Sequence, residues 1–133
     1  MARPPAKDLT DRELDVMHVF WDRGEAALPE VHAALAEGGH SLAYTTVATV
    51  AKILVEKGYL TQTGETRPFR YAPARGFEEV SGSMLGGLLD RVFGGSRELL
   101  LTRLMEQKRL TKKERAVLEE FLSDDASKRR GGR

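Results

Sequence analysis

The sequence predicts a mainly α-helical chain with one small β-hairpin, and three observations carry that expectation. Residues 11–57 hold three stretches of apolar residues at helical spacing, each closed by glycine. Residues 59–73 then switch to two short β-type runs around a turn rich in Gly and Pro. Helical spacing returns over residues 76–123. Three helices, a hairpin and a helical remainder give a winged helix-turn-helix over residues 1–75. A helical dimerisation region over 76–123 and a disordered basic tail over 124–133 complete the expected organisation.

The first helix announces itself at Thr10-Asp11-Arg12-Glu13, a Thr-x-x-Glu capping box. Leu14, Met17 and Trp21 follow on one face, widened by Val16, Val19 and Phe20, and Gly24 ends the run. A second helix begins at Leu28-Pro29, where proline suits the first turn. Val31 and Leu35 form its stripe, and Gly38-Gly39 stops it. Ser41 is the candidate cap of a third helix over about residues 43–57, closed by Gly58.

"YLTQT" and "FRYAP" are the two strands, with "GETRP" between them. Phe69 and Tyr71 fall on one face of the second strand and Arg70 on the other. Beyond them Val80, Met84, Leu85, Leu88, Leu89, Val92 and Phe93 repeat at helical spacing until Gly94-Gly95-Ser96 breaks and re-caps the chain. "RELLLTRLMEQ" is apolar on most sides. Thr111-Lys112-Lys113-Glu114 is a second capping box, leading a helix with Val117, Leu118, Phe121 and Leu122 expected inward.

Composition narrows the function. With 133 residues, 41% hydrophobic and 31% charged, the chain is globular rather than disordered. No apolar run approaches the roughly 18 residues of a membrane helix, so no membrane insertion is expected. "MARPPAKDLTD" lacks the apolar segment of a secretory signal. Cysteine is absent, which removes disulfides and thiolate metal sites and fits a cytoplasmic chain. Net charge is only +1, but its distribution is uneven. Residues 42–75 carry Lys52, Lys57, Arg67, Arg70 and Arg75 against Glu56 and Glu65, while acid gathers in residues 8–37. A basic face opposed by an acidic one is the pattern of a nucleic-acid binder.

The third helix, within "AYTTVATVAKILVEKGYL", is unusually rich in threonine, a poor helix former. At 100° per residue, Val47, Val50, Ala51 and Leu54 share one arc; Thr45, Ala48, Thr49, Lys52 and Glu56 share the other. A helix entering a major groove about 12 Å wide needs such a short-chained outer stripe. Thr hydroxyls can meet phosphates or base edges, and their methyls can touch thymine methyls. The alternative is that Thr45, Thr46 and Thr49 simply fill a half-exposed helix. Arg67 and Arg70 flank the hairpin turn as phosphate-contacting arginines do; solvated surface arginines are the alternative.

Enzymatic chemistry finds no support. The chain has no His-Glu-x-x-His, Gly-rich phosphate loop or nucleophile elbow. Glu78-Glu79, Glu119-Glu120 and Asp124-Asp125 are adjacent pairs that diverge on a helix. His18, His32 and His40 lack ligand spacing. No catalytic residue, metal or cofactor is expected. A winged helix serving as a protein-interaction module without specific DNA binding is the alternative function, favoured by the near-neutral charge of residues 1–75.

"LTDRELDVMHVFWDRG", "LPEVHAAL", "AYTTVATVAKILVEKGYL" and "RPFRYAPA" together resemble the DNA-binding half of the penicillinase-repressor (BlaI/MecI/CopY) family. "LLDRVFGGSRELLLTRLMEQKRLTKKERAVLEEFL" resembles its dimerisation half, so the likeness spans about residues 9–122. The resemblance implies a homodimeric transcriptional repressor that binds a palindromic operator on double-stranded DNA. It implies that Tyr44, Thr45, Thr46, Ala48, Thr49 and Lys52 lie on the recognition helix and Arg67 and Arg70 on the wing. Ala48 stands where relatives often carry a longer side chain, and Ile53 replaces a common Arg.

The CopY branch senses copper through C-terminal cysteine pairs, which this chain lacks. In the β-lactam branch a membrane sensor with a metallopeptidase domain leads to cleavage at an Asn-Phe bond. The corresponding positions here are Thr102 and Arg103, so the familiar scissile pair is missing. Dimerisation has support apart from the family. A segment as short as residues 99–105 cannot bury an apolar face on most sides within one small helical tail. Leu85, Leu88, Leu89, Val92, Leu100, Leu101, Leu104, Leu118 and Phe121 are the expected interface, and Gly82 and Gly86 allow close helix approach. A monomeric tail packed on the winged helix is the alternative.

Overall fold

The computed structural model describes residues 9–131, and side chains through residue 124. Its elements are α1 (Asp11–Arg23), β1 (Ala26–Ala27), α2 (Leu28–Glu37), α3 (Tyr44–Lys57), β2 (Leu60–Gln62) and β3 (Arg70–Pro73). These are followed by α4 (Phe77–Arg91), α5 (Arg97–Gln107) and α6 (Lys112–Gly131). The chain divides into two compact units, Met1–Leu85 and Gly86–Arg133. That division falls later than the boundary at residue 75 expected from sequence, because Val80 of α4 is buried in the core of the first unit.

In the first unit the expected capping box closes α1. Thr10 Oγ1 accepts from the Glu13 N–H at 3.2 Å, and the Thr10 N–H donates to Glu13 Oε1 at 2.9 Å. Val16, Met17 and Phe20 of α1 meet Val31 and Leu35 of α2 and Val47, Val50, Ala51 and Leu54 of α3 in one core. Each large apolar side chain buried there contributes about 1.5–3 kcal/mol. Gly58 ends α3 in the left-handed region at φ 89°, and the next N–H, of Tyr59, returns to the Leu54 carbonyl at 2.9 Å. That reversal needs positive φ, which glycine adopts without a Cβ penalty.

The sheet has three antiparallel strands in the order β1-β3-β2, one more than the expected hairpin. β1 is only Ala26–Ala27, pairing with Tyr71 and Arg70. Two alanines carry no alternating pattern, so the sequence does not mark them as a strand. Ser41 does not cap α3: Ala43 is the N-cap and makes no side-chain bond. Leu42, between them, is half-buried against the core, so the chain enters α3 two residues beyond Ser41.

α4 starts at Phe77 and is anchored to the first unit. Trp21 Nε1 donates to the Arg75 carbonyl at 3.0 Å, and the Trp21 ring meets Phe77 edge-on at 5.3 Å. Arg75 stacks its guanidinium 5.5 Å over the Tyr59 ring and bonds Glu79 at 2.7 Å.

In the second unit, Ser96 caps α5 by accepting from the Leu99 N–H at 3.1 Å. The Thr111–Glu114 capping box opens α6 in both directions. Helix α6 runs on through Gly131, past the tail boundary at 123–124, since no Gly or Pro interrupts the sequence before Gly131. Residues 132–133 of that tail lie outside the described residues, as do residues 1–8. Val117, Leu118, Phe121 and Leu122, expected inward, are exposed. Among the described residues none of α6 is buried, and α5 likewise buries none of its side chains.

Glu13 ties the start of α1 to the end of α3. Its carboxylate is buried, closes the capping box and accepts from Lys57 Nζ at 2.7 Å. Burial pushes its pKa up, but the Lys57 hydrogen bond, the Thr10 N–H and the Lys57 charge outweigh it and hold the carboxyl below 4.5. A depressed folded pKa contributes stability above the unfolded value, lost as pH falls through the folded one. Glu13→Gln is expected to cost about 1–3 kcal/mol at neutral pH. In urea melts of both proteins across pH, the deficit should shrink as pH drops below the ordinary carboxylate range. A deficit constant down to strongly acid pH would contradict the assignment.

Candidate nucleic-acid interface

Helix α3 has two faces because its apolar residues have one place to go. Burying Val47, Val50, Ala51 and Leu54 turns Thr45, Thr49 and Lys52 fully outward. Ala48 and Thr46 are half-buried at the margins of the stripe, and Tyr44 is 40% exposed at its head. Thr49 Oγ1 donates to the Thr45 carbonyl at 2.9 Å. Its hydroxyl proton is therefore engaged inside the helix, leaving the oxygen lone pairs and the methyl group on the exposed face. Thr49 thus offers acceptor lone pairs and apolar contact, while Lys52 on the same exposed face supplies donors.

The N-terminus of α3 is open. Ala43 has no side-chain acceptor for the first-turn N–H groups, and its carbonyl takes the bonds from Thr46 and Val47. Uncapped N–H groups at the positive end of a helix dipole favour an anion. Tyr44 stands at this end with its ring held edge-on by His32 at 5.7 Å. His32 Nε2 in turn donates to the Leu42 carbonyl at 2.8 Å, tying α2 to the turn before α3. Nothing local in the sequence marks His32 for this role, since its partners lie ten and twelve positions away.

The wing faces this end of α3. Leu28, Tyr44, Ala48, Arg67, Pro68 and Phe69 line one cleft of about 440 Å³. Arg67 lies 5.6 Å over the Phe69 ring, which holds the guanidinium at the cleft while its donors stay exposed. Small Ala48 widens the cleft where a longer residue would fill it.

Arg70 belongs to a different constellation. It lies 3.7 Å from Glu25 and 3.5 Å from Glu30. Glu25 also accepts from the Thr63 hydroxyl, and Glu30 from the Ala27 N–H at the start of α2. The register that pairs β1 with β3 sets Arg70 opposite Ala27, and so beside these carboxylates. Sequence grouped Arg67 and Arg70 as equivalent; the fold brings Arg67 to Tyr44 and Ala48 and gives Arg70 to the acidic residues around α2.

Leu85 of α4, the last residue of the first unit, is exposed, and in the second unit Leu88 and Val92 are exposed as well. Leu89 and Leu100 are half-buried; Leu101, Leu104, Leu118 and Phe121 are exposed. A cleft of about 450 Å³ between α5 and α6 is walled by Leu101, Leu104, Met105, Leu110 and Leu118. Thr102 and Arg103 sit in the middle of α5. The Thr102 hydroxyl bonds the Glu98 carbonyl at 2.9 Å, and Arg103 pairs with Glu106 at 3.3 Å. Among the described residues no group of acidic or His side chains is arranged to hold a metal, and no helix is long and apolar enough to cross a membrane.

Known proteins are similar to this chain. The family model described as penicillinase repressor matches residues 9–124. A Mycobacterium tuberculosis protein (strain H37Rv), transcriptional regulator BlaI, is 39% identical over 101 residues, covering 74% of this chain and 72% of that protein. The solution structure of the DNA-binding domain of the repressor BlaI aligns at 29% identity over 59% of this chain and 93% of that one, with TM-score 0.49. The hsRosR-S4 complex structure shares the fold over 94% of this chain and 96% of that one, at 19% identity and TM-score 0.54.

Proposed function

We propose, from the premise that this chain belongs to the penicillinase repressor family, that it is a homodimeric repressor binding a palindromic DNA operator. That family comprises transcriptional regulators, not enzymes. The observation that carries the proposal is the open N-terminus of α3, its short-chained outer stripe lying beside the Arg67 cleft. Insertion of α3 into the major groove brings Thr45, Thr46, Ala48 and Thr49 to base edges. Tyr44 and the first-turn N–H groups meet the flanking phosphate, and Lys52 a phosphate further along. Arg67 reaches the backbone from the wing. Arg70 joins it by exchanging Glu25 and Glu30 for phosphate. Bound at a promoter in the cytoplasm, the dimer blocks transcription sterically.

Exposed apolar residues on α4, α5 and α6 support the dimer. Burying Leu88, Leu101, Leu104, Leu118 and Phe121 against a second copy removes from water a surface that the chain alone leaves open. Two-fold symmetry then presents two recognition helices to two half-sites. A sensor metallopeptidase acting at Thr102–Arg103 would release the operator by destroying this interface. The bond lies inside α5, so cleavage there requires local opening of the helix first.

Because Thr49 offers lone pairs and a methyl, Thr49→Ala should cost roughly 1–3 kcal/mol on the operator and little on random duplex. Equal losses on both in anisotropy titrations would remove Thr49 from base reading. For the backbone contacts, Arg67→Ala should weaken all DNA alike and lower the salt slope by about one. The double change Glu25→Gln, Glu30→Gln, which removes both carboxylates facing Arg70, should tighten operator and random DNA together by roughly two- to fivefold at low salt. An unchanged affinity in the double variant would place Arg70 away from the DNA.

The paired substitutions Leu101→Glu and Leu104→Glu should give a monomer by sedimentation velocity. Loss of the second half-site contact should then weaken operator binding by roughly a hundredfold or more. A dimer that survives both changes would move the interface elsewhere.

A further inference from the structure

The two units share the chain's charge unevenly. Residues 1–85, which contain α3 and the wing, hold 9 Lys/Arg against 12 Asp/Glu, a net of −3. Residues 86–133 hold 12 against 8, a net of +4. Most basic residues near α3 also have carboxylate partners already. Lys57 bonds Glu13, Arg70 lies beside Glu25 and Glu30, and Arg75 bonds Glu79. Among the described residues, that leaves Lys52 and Arg67 to meet phosphate without exchanging an ion pair. Proteins whose DNA affinity is mainly electrostatic make on the order of six to ten phosphate contacts. Two per copy fall short of that even in a dimer.

The missing positive charge sits where α5 turns into α6. Lys108, Arg109, Lys112, Lys113 and Arg115 place five cations in eight positions, against Glu114 alone. All five are exposed, and among the described residues none of them is ion-paired. Glu114 is turned to the Thr111 N–H, which donates to its Oε1 at 2.9 Å. Local stability does not account for this arrangement. Lys112 and Lys113 open α6 at the positive end of its dipole, where cations are unfavourable. The chain's other Thr-x-x-Glu box puts Asp11 at the first helical position, where this one puts Lys112. Like charges gathered against their own helix dipole repel one another, and an anionic partner relieves both costs.

We propose that Lys108, Arg109, Lys112, Lys113 and Arg115 form a second DNA-binding surface, which grips phosphates irrespective of sequence. This rests on the repressor function argued above and divides its labour. Helix α3 reads the bases, and the α5–α6 turn supplies affinity common to every duplex. Double-stranded DNA presents one negative charge per about 1.7 Å of its axis, so closely spaced cations meet several phosphates without entering a groove. The operator's advantage over random DNA is left to α3. In the proposed dimer the surface is present twice.

The test compares the full chain with its Arg109→Gln, Lys112→Gln, Lys113→Gln variant, which keeps Lys108 at the rim of the α5–α6 cleft. Both are titrated against a random-sequence duplex and an operator of equal length selected from a random library. At low salt the variant should bind both duplexes roughly tenfold or more weaker, with the salt slope lowered by about two or more. The ratio between the duplexes should hold within about twofold. A control variant, Arg12→Gln with Arg23→Gln, removes exposed charge from α1 and should lose less than about twofold on either. Comparable losses in the two variants would overturn the proposal, since net charge alone would then be acting. An unchanged affinity and slope in the triple variant would overturn it too, leaving the turn to an acidic protein. So would loss of the dimer in sedimentation, which would make these cations contacts between copies.

Lysine acetylation footprinting reads the same surface in the wild type. Random duplex should slow acetylation of Lys112 and Lys113 by roughly fivefold or more at low salt, and added salt should remove the protection. Protection confined to Lys52 would sink the second surface by itself. Failure to select any preferred duplex, with Lys112 and Lys113 still protected by random DNA, would instead count against the repressor function alone.

Discussion

The two-faced packing of α3 is the constraint on which the rest depends. Val47, Val50, Ala51 and Leu54 must reach the core, and once they do the helix has no rotational freedom left. Thr45, Thr49 and Lys52 are outward as a consequence, and Tyr44 and Ala48 of the same helix line the Arg67 cleft of the wing. The elements around α3 fix its two ends. Gly58 reverses the chain at the bottom, where Glu13 grips Lys57; His32 and Leu42 set the entry at the top. Poor helix formers are tolerated on the outer face because tertiary packing of the inner face, not intrinsic propensity, holds the helix.

The second unit obeys the opposite logic. Its helices are well capped, by Ser96 and by the Thr111–Glu114 box, yet α5 buries no side chain. Local signals suffice to form these helices, while among the described residues their large apolar side chains stay largely exposed, the surface that the proposed dimer would bury. A DNA reader with one recognition helix gains affinity and selectivity by doubling. The exposed leucines and the short-chained α3 stripe are thus two halves of one functional argument.

Much of this was legible in the sequence wherever the signal is local. Both Thr-x-x-Glu boxes, the Gly58 cap and the inner arc of α3 each lie within a few residues of chain, and each formed as expected. What stayed hidden depends on partners distant in sequence. Strand β1 is two alanines, recognisable only by the register with Tyr71 and Arg70. The same register gives Arg70 its carboxylate neighbours Glu25 and Glu30, some forty or more positions away, so its difference from Arg67 could not be read from the wing alone. Ser41 offered a good cap by type, but Leu42 packs first and leaves Ala43 at the helix start. Helical spacing marks Leu118 and Phe121 as an apolar face, but spacing alone does not say whether that face is buried within the chain, and both are exposed.

The central claim is that α3 and the wing read a specific DNA sequence. Its most direct test is a fluorescence-anisotropy titration of the full chain against its own upstream region and a scrambled duplex, at two salt concentrations. The account predicts binding tighter by several hundredfold or more to the native sequence, with affinity falling steeply as salt rises. Equally weak binding to both duplexes, and to competing genomic fragments, would contradict it and leave the winged helix as a protein-interaction module.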